Sequence, residues 1–258
     1  MDRMKPSPDG SLRDPSAIPG AQKIVYTQTR RLQTNDAYLK DHRVIAESTD
    51  AVGASYKVLR THVRQRMLAN QWQTLAITSP NEGAGKTLTS INLAISLARE
   101  VNQTVLLVDL DLRRPSIARY FTNENLPGIS DYLFNDAPLS ELLFNPEGVE
   151  RLVVLPGNKA MEYSSETLSS PKMVALAEEL KTRYPSRLVL LDMPPLLACD
   201  DVLAFSPYFD AALLVVEESA TTNAEVRHSL DLLRRTNLLG LALNKSRDEV
   251  PSYGYGAR

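Results

Sequence analysis

Cysteine is almost missing from this sequence: Cys199 stands alone among 258 residues. A single thiol excludes an internal disulfide framework and fits a reducing compartment. Net charge is nearly missing too. Basic and acidic residues almost cancel, to −2, which gives no bulk attraction to nucleic acid or an anionic bilayer. No apolar run approaches the ~20 residues of a membrane span, so direct membrane insertion is not expected. The opening MDRMKPSPDGSLRDPSAIPG lacks the apolar core of a signal peptide. These absences predict a cytoplasmic protein. What is present is ordinary for a folded domain, with 43% hydrophobic and 23% charged residues. A chain this long buries roughly 70% of the surface its unfolded form exposes, enough for a core without staples.

Residues 1–48 carry Pro6, Pro8, Pro15 and Pro19 and mixed charge, a composition that buries too little apolar surface to offset its ordering. This predicts a flexible N-terminal arm over 1–48, with VIAES around Val44 as a short ordered contact. From about Thr49, the spacing of Tyr56, Leu59, Val63 and Met67 predicts a helix with one apolar face. Strands and helices then alternate. Strands are expected at 74–78, 104–110, 151–157, 187–193, 211–217 and 239–244. Helices are expected at 86–99, 170–183 and 222–236, the last capped by Thr222-Asn223. Most strand segments are continuous apolar runs, as in strands buried on both faces of a parallel sheet. The expected fold is α/β: a doubly wound, mainly parallel sheet with helices on both faces, spanning 49–247. A short tail follows at 248–258. In such sheets ligands bind beyond the carboxyl ends of the strands.

Three stretches at such ends carry chemistry. SPNEGAGKTLTS follows the strand TLAIT and contains Gly85-Lys86-Thr87. The strict phosphate-loop pattern asks for glycine where Pro80 stands, but Pro80 lies farthest from the lysine. Gly83 and Gly85 let the backbone curl, so that N–H groups along Glu82, Gly83, Ala84, Gly85, Lys86, Thr87 and Leu88 face one anion. Lys86 adds a positive charge for the outer phosphates. Thr87 offers a hydroxyl to Mg²⁺, and the helix beginning there contributes its positive dipole end. TVLLVDLDLRRP ends a second strand with Asp109 and Asp111. In an extended strand these share a face and need Mg²⁺, Arg113 or Arg114 to balance them. LVLLDMPP ends a third strand with Asp192, suited to hold Mg²⁺ through a water. Asp200 and Asp201 are read as caps of the next helix. Three such motifs in this order point to a P-loop ATPase or kinase using ATP and Mg²⁺.

With SPNEGAGKT, VLLVDLDLRRP and VLLDMPPLLACDD, then FDAALLVVEESATT and LALNKS, residues 50–245 resemble the bacterial tyrosine kinases that regulate capsule and exopolysaccharide synthesis. The resemblance implies that Lys86 and Thr87 hold ATP and Mg²⁺. It places Asp109 at the reacting centre and the metal, Asp111 beside it, Asp192 as the Mg²⁺-side acid, and Asn244 against adenine. The implied reaction is transfer of the γ-phosphoryl group to a tyrosine hydroxyl. Lys86 stabilises charge, and Asp109 or, alternatively, Asp111 takes the hydroxyl proton. The implied partner is a separate membrane protein controlling polysaccharide chain length, which would recruit the chain to the inner face of the membrane.

Two departures bear on this. Family members commonly carry Glu-x-x-Arg-x-x-Arg before the loop, whereas the matching positions here are Ala54, Lys57 and Arg60. That weakens the case for ring assembly, since lysine cannot reproduce a bidentate guanidinium contact. The tail PSYGYGAR offers only Tyr253 and Tyr255 as phosphoacceptors, which would require self-association for phosphorylation in trans. Two alternatives stand beside the kinase: a catalytically weak ATP-binding scaffold of the same system, and a positioning-type P-loop ATPase. The latter usually has a lysine where this chain has Asn81.

Overall fold

The computed structural model describes residues 29–44, 51–100, 103–182 and 187–246. Residues 1–28, most of VIAES, and the tail with Tyr253 and Tyr255 lie outside the described residues. The strands are Arg30–Leu32 (β1), Thr74–Thr78 (β2), Thr104–Asp109 (β3), Phe144–Pro146 (β4), Leu152–Leu155 (β5), Arg187–Asp192 (β6), Ala211–Glu217 (β7) and Leu238–Asn244 (β8). They form one sheet in the order β1-β4-β5-β3-β6-β2-β7-β8. Every pairing is parallel except β4 with β5. The helices are Asp36–Asp41 (α1), Ala51–Ala69 (α2), Lys86–Ala98 (α3), Ile129–Asn135 (α4), Leu139–Leu142 (α5), Ser164–Leu168 (α6), Pro171–Thr182 (α7), Asp201–Phe205 (α8) and Asn223–Leu232 (α9). The doubly wound, mainly parallel α/β fold expected from the apolar runs is the fold observed.

Two cores explain those runs. Leu75, Ile77, Val105, Leu107, Leu188, Leu190, Leu213 and Val215 pack on the face covered by α2 and α3. Their strand neighbours Ala76, Leu106, Val108, Val189, Leu191 and Leu214 pack on the opposite face, with Met173, Leu176 and Phe205. Successive side chains of a strand point to opposite faces, so a sheet covered on both must be apolar at every position. On α2, Val63 and Met67 are buried and Leu59 packs at the core's edge, as the helical spacing predicts. At α9, Thr222 and Glu225 form the expected cap, each side chain bonding the other's backbone N–H.

The boundary of the arm, expected at residue 48, falls too late. β1 adds to the sheet edge beside β4, with Arg30 opposite Phe144. Asn35 then caps α1 by accepting from the N–H groups of Ala37 and Tyr38. Leu32 and Leu39 are both buried, and their burial anchors a segment whose overall composition is polar. A three-residue strand RRL carries no periodicity to detect. β4 was equally invisible, because FNP reads as a turn.

The far ends of β2, β7 and α7 are tied by one carboxylate. Asp210 accepts from the N–H groups of Gln73 and Thr74 at 2.8 and 2.9 Å, and its other oxygen pairs with Lys181. Burial pushes the Asp210 carboxyl up, but Lys181 and these backbone donors more than reverse that and leave it below its ordinary range. A group with a lowered folded-state pKa adds stability that is fully present above about pH 4 and disappears as pH falls through the folded value. Asp210→Asn is expected to lower stability by about 1–3 kcal/mol at pH 7. Urea denaturation should show this gap closing as the pH falls below the ordinary carboxylate value of about 4.

Candidate active site

Sheet register brings the three motifs together. Ile77 of β2 and Asp109 of β3 both lie opposite Asp192 of β6, so three loops leave adjacent strands at one edge. The first loop turns through Gly83 and Gly85, whose φ angles of +81° and +85° only glycine adopts without strain. It then enters α3 at Lys86. Proline at position 80 is accommodated because the turn there needs no left-handed residue. Instead the Ser79 and Pro80 carbonyls accept from Leu196 and Leu197, at 2.8 and 3.1 Å, stitching the loop's start to the segment after β6. The Asn81 amide donates to Glu225 on α9 at 2.7 Å.

Lys86 Nζ lies 2.7 Å from Asp111 and 3.6 Å from Asp192. Asp192 is fully buried. It accepts from the Thr87 hydroxyl at 2.7 Å, and Ser90 Oγ lies 3.0 Å from its other oxygen. Burial pushes the Asp192 carboxyl up, against the pull of Lys86 and the two hydroxyls. Burial, with the Asp192 charge adding to it, pushes Asp109 up to about 7. For Lys86 burial opposes the charge, but Asp192, Asp111 and Asp109 together outweigh it and the ammonium is held above its usual range. Three carboxylates therefore share one internal cation.

This is a site short of positive charge. Asp109 Oδ1 is buried with no hydrogen-bond partner, a further acceptor waiting for a donor or an ion. Among the described residues no three acidic, cysteine or histidine side chains converge tightly enough to hold a metal unaided. The donor set, carboxylates beside a threonine hydroxyl, fits a hard cation such as Mg²⁺, which takes one or two carboxylates and fills its remaining positions with phosphate oxygens and water.

The two aspartates of the second motif differ in their partners. Leu110 and Leu112 pack with Leu106 and Val108 in one core, and the Leu110 N–H still donates to the Asp192 carbonyl at 2.9 Å, so the alternation runs past the end of β3 and leaves Asp109 and Asp111 on one side. Asp109 Oδ2 is occupied by the backbone N–H groups of Ser116 and Ile117, at 2.8 and 2.9 Å, while Asp111 reaches Lys86. The expected arginine partners of these aspartates go elsewhere. Arg114 pairs with Glu82, and Arg113 reaches Ser164 and Asp201. Asn244, expected at adenine, uses its amide to donate to the Ala84 carbonyl at 2.8 Å, bracing the phosphate loop. A Cβ on Gly85 would stand 2.3 Å from that amide. On α2, Arg60 pairs inside the chain with Glu100 at 3.0 Å, while Ala54 and Lys57 face outward.

A cavity of about 440 Å³ opens beside this network. Glu82, Gly83, Gly85, Lys86, Thr87, Leu88 and Asp111 line one side of it, and Arg113, Tyr120, Pro194, Pro195 and Cys199 the other. Asp109 and Asp192 lie beneath the lining. Ser90, Tyr120 and Cys199 were missed from the sequence. Only Ser90 had a signal there, as the residue one helical turn beyond Lys86 and Thr87 on the same face.

Residues 72–226 match the family model described as AAA domain. Tyrosine-protein kinase YwqD of Bacillus subtilis is 30% identical over 203 residues, 78% of this chain and 84% of that protein. The chain belongs to the bacterial tyrosine-protein kinase family. A relative from Ralstonia nicotianae named EpsB is 31% identical, covering 79% of this chain but 27% of that protein, so the chain spans about a quarter of its length. The kinase domain of Escherichia coli tyrosine kinase ETK matches with a TM-score of 0.69 at 27% identity, covering 98% of this chain and 100% of that one. The chimerical protein CapA2B2 matches with a TM-score of 0.72 at 26% identity, over 83% and 92% of the two chains. The septum site-determining protein MinD of Pyrococcus horikoshii, complexed with Mg-ADP, shares the fold at 23% identity and a TM-score of 0.53, over 70% and 74%. Membership of this family implies nucleotide binding. Among the described residues, no helix is long and apolar enough to cross a membrane.

The single cysteine of this family member offers a probe of the cavity. Burial pushes the Cys199 thiol up to about 11, so little thiolate exists at neutral pH. Since the thiolate is the nucleophile, alkylation by iodoacetamide at pH 7.5 is expected to run at least about tenfold slower than for a free thiol. Nucleotide should slow it further. Intact-mass kinetics with and without ATP measure both effects.

Proposed function

We propose that the chain is an ATP-dependent protein-tyrosine autokinase of a capsule or exopolysaccharide system. It would act with a separate membrane protein that controls polysaccharide chain length and recruits it to the inner face of the cell membrane. The observation that carries this reading is the shared charge network in which Lys86, Thr87, Asp111 and Asp192 meet at three adjacent strand ends. Bound MgATP would supply the γ-phosphoryl group and the cation that balances the buried carboxylates.

The roles follow from where each side chain lies. The backbone from Glu82 to Leu88 and the start of α3 hold the phosphates. Lys86, now held by Asp111 and Asp192, turns part of its charge to the outer phosphates when these arrive. Thr87, Asp192 and the free oxygen of Asp109 would hold Mg²⁺. Asp111 lines the cavity and Asp109 does not, which favours Asp111 as the carboxylate that receives the tyrosine hydroxyl proton. The acceptors in this reading are Tyr253 and Tyr255 of a second copy. Arg60 supports the scaffold alternative, because its guanidinium pairs with Glu100 of the same chain. The positioning-ATPase alternative rests on fold likeness alone, and Asn81 is occupied by Glu225.

Phosphotyrosine blotting of purified protein with MgATP tests the reading. Signal is expected from the parent and none from Lys86→Ala; equal signal in both defeats the proposal. Asp111→Asn is expected to slow transfer by about 10²–10⁴-fold, the span of a lost general base, and more than Asp109→Asn. If truncation after Arg247 leaves polysaccharide output intact while Lys86→Ala abolishes it, nucleotide binding rather than transfer is the function.

A further inference from the structure

Asp200 and Asp201, read from the sequence as helix caps, leave one carboxylate unexplained. Asp200 takes the cap position of α8 without a side-chain bond. Asp201, the first residue of α8, is fully buried, and among the described residues neither of its carboxylate oxygens has a nitrogen or oxygen hydrogen-bond donor, with only the Cys199 thiol beside it. A buried carboxylate without hydrogen bonds is strongly unfavourable unless a cation stands beside it. That cation is Arg113, whose Nε lies 3.7 Å from Asp201 Oδ1. The same Nε donates to Ser164 Oγ at 2.8 Å, and Ser164 is itself fully buried at the start of α6.

Two buried side chains on separate helices therefore grip the guanidinium by one corner. The fork of an arginine is rigid and planar, so fixing Nε fixes the direction of both terminal nitrogens. Those nitrogens have no hydrogen-bond or ion-pair partner among the described residues, and the side chain, 45% exposed, lines the cavity shared with Lys86 and Asp111. Arg114 differs: it is 72% exposed and already paired with Glu82. We propose that Asp201 and Ser164 are positioning residues that hold Arg113 as a preset phosphoryl-oxyanion site on the cavity wall. Its ligand is a phosphoryl group, either the terminal one of the nucleotide or one newly carried by tyrosine. The inference rests on the nucleotide reading above.

Calorimetric titration of the full chain with MgATP, MgADP and, on ADP-loaded protein, phenyl phosphate tests it. Arg113→Gln and Asp201→Asn are each expected to weaken one phosphoryl ligand about tenfold or more, the loss of a charge-assisted hydrogen bond. Weakened ATP with ADP unchanged assigns the site to the nucleotide's terminal phosphoryl. Weakened phenyl phosphate with both nucleotides unchanged assigns it to phosphotyrosine. The double variant should bind no worse than Arg113→Gln alone, because Asp201 acts through Arg113. An Asp201→Asn loss that persists in the Arg113→Gln background overturns the proposal, as does an Arg113→Gln protein that binds all three ligands normally. Lys86→Ala separates the two levels: if it retains both nucleotides, the underlying reading falls. Should Asp201→Asn fail to fold, Ser164→Ala takes its place, with a smaller loss of the same ligand expected, and parental binding overturning the grip.

Discussion

Asp192 sits at the end of a strand with no exposure at all, and a carboxylate there must be surrounded by donors and positive charge. Thr87, Ser90 and Lys86 supply them, all from the first turn and a half of α3. That single requirement fixes α3 against β6 and so fixes the phosphate loop over the sheet edge. It also draws Asp111 in, since Lys86 is shared between the two carboxylates. The result is a site in which several buried carboxylates share one lysine.

The second constraint is backbone geometry around the loop. Gly85 leaves room for the Asn244 amide, which holds the Ala84 carbonyl from the edge strand β8, two strands away from β2. Asn81 ties the loop's first residues to α9, and the segment after β6 holds Ser79 and Pro80. Three elements far apart in the chain thus clamp one short loop. A loop so braced keeps its N–H groups aimed without reorganisation, the condition under which backbone dipoles stabilise transferring charge best.

Much of this was legible in advance because the signals are local. Continuous apolar runs report strands covered on both faces, and GAGKT with strand-end aspartates reports phosphate and metal chemistry. The N-terminal segment was misjudged because β1 is three residues long and is held by Leu32 and Leu39 packing on distant strands. Strand alternation puts Asp109 and Asp111 on one side, as the structure has them. Nothing in LDLRR announces that the backbone N–H groups of Ser116 and Ile117 will capture Asp109 while Asp111 goes to Lys86.

The sequence by itself determined the fold class, the nucleotide loop and the family, since each depends on residue types in short fixed spacings. Only the tertiary structure decided the partners. Which aspartate meets Lys86, which arginine is held by Asp201, and which amide braces the loop all depend on contacts between residues 25 to 160 positions apart. Such contacts are set by strand order and register, and no local pattern encodes them.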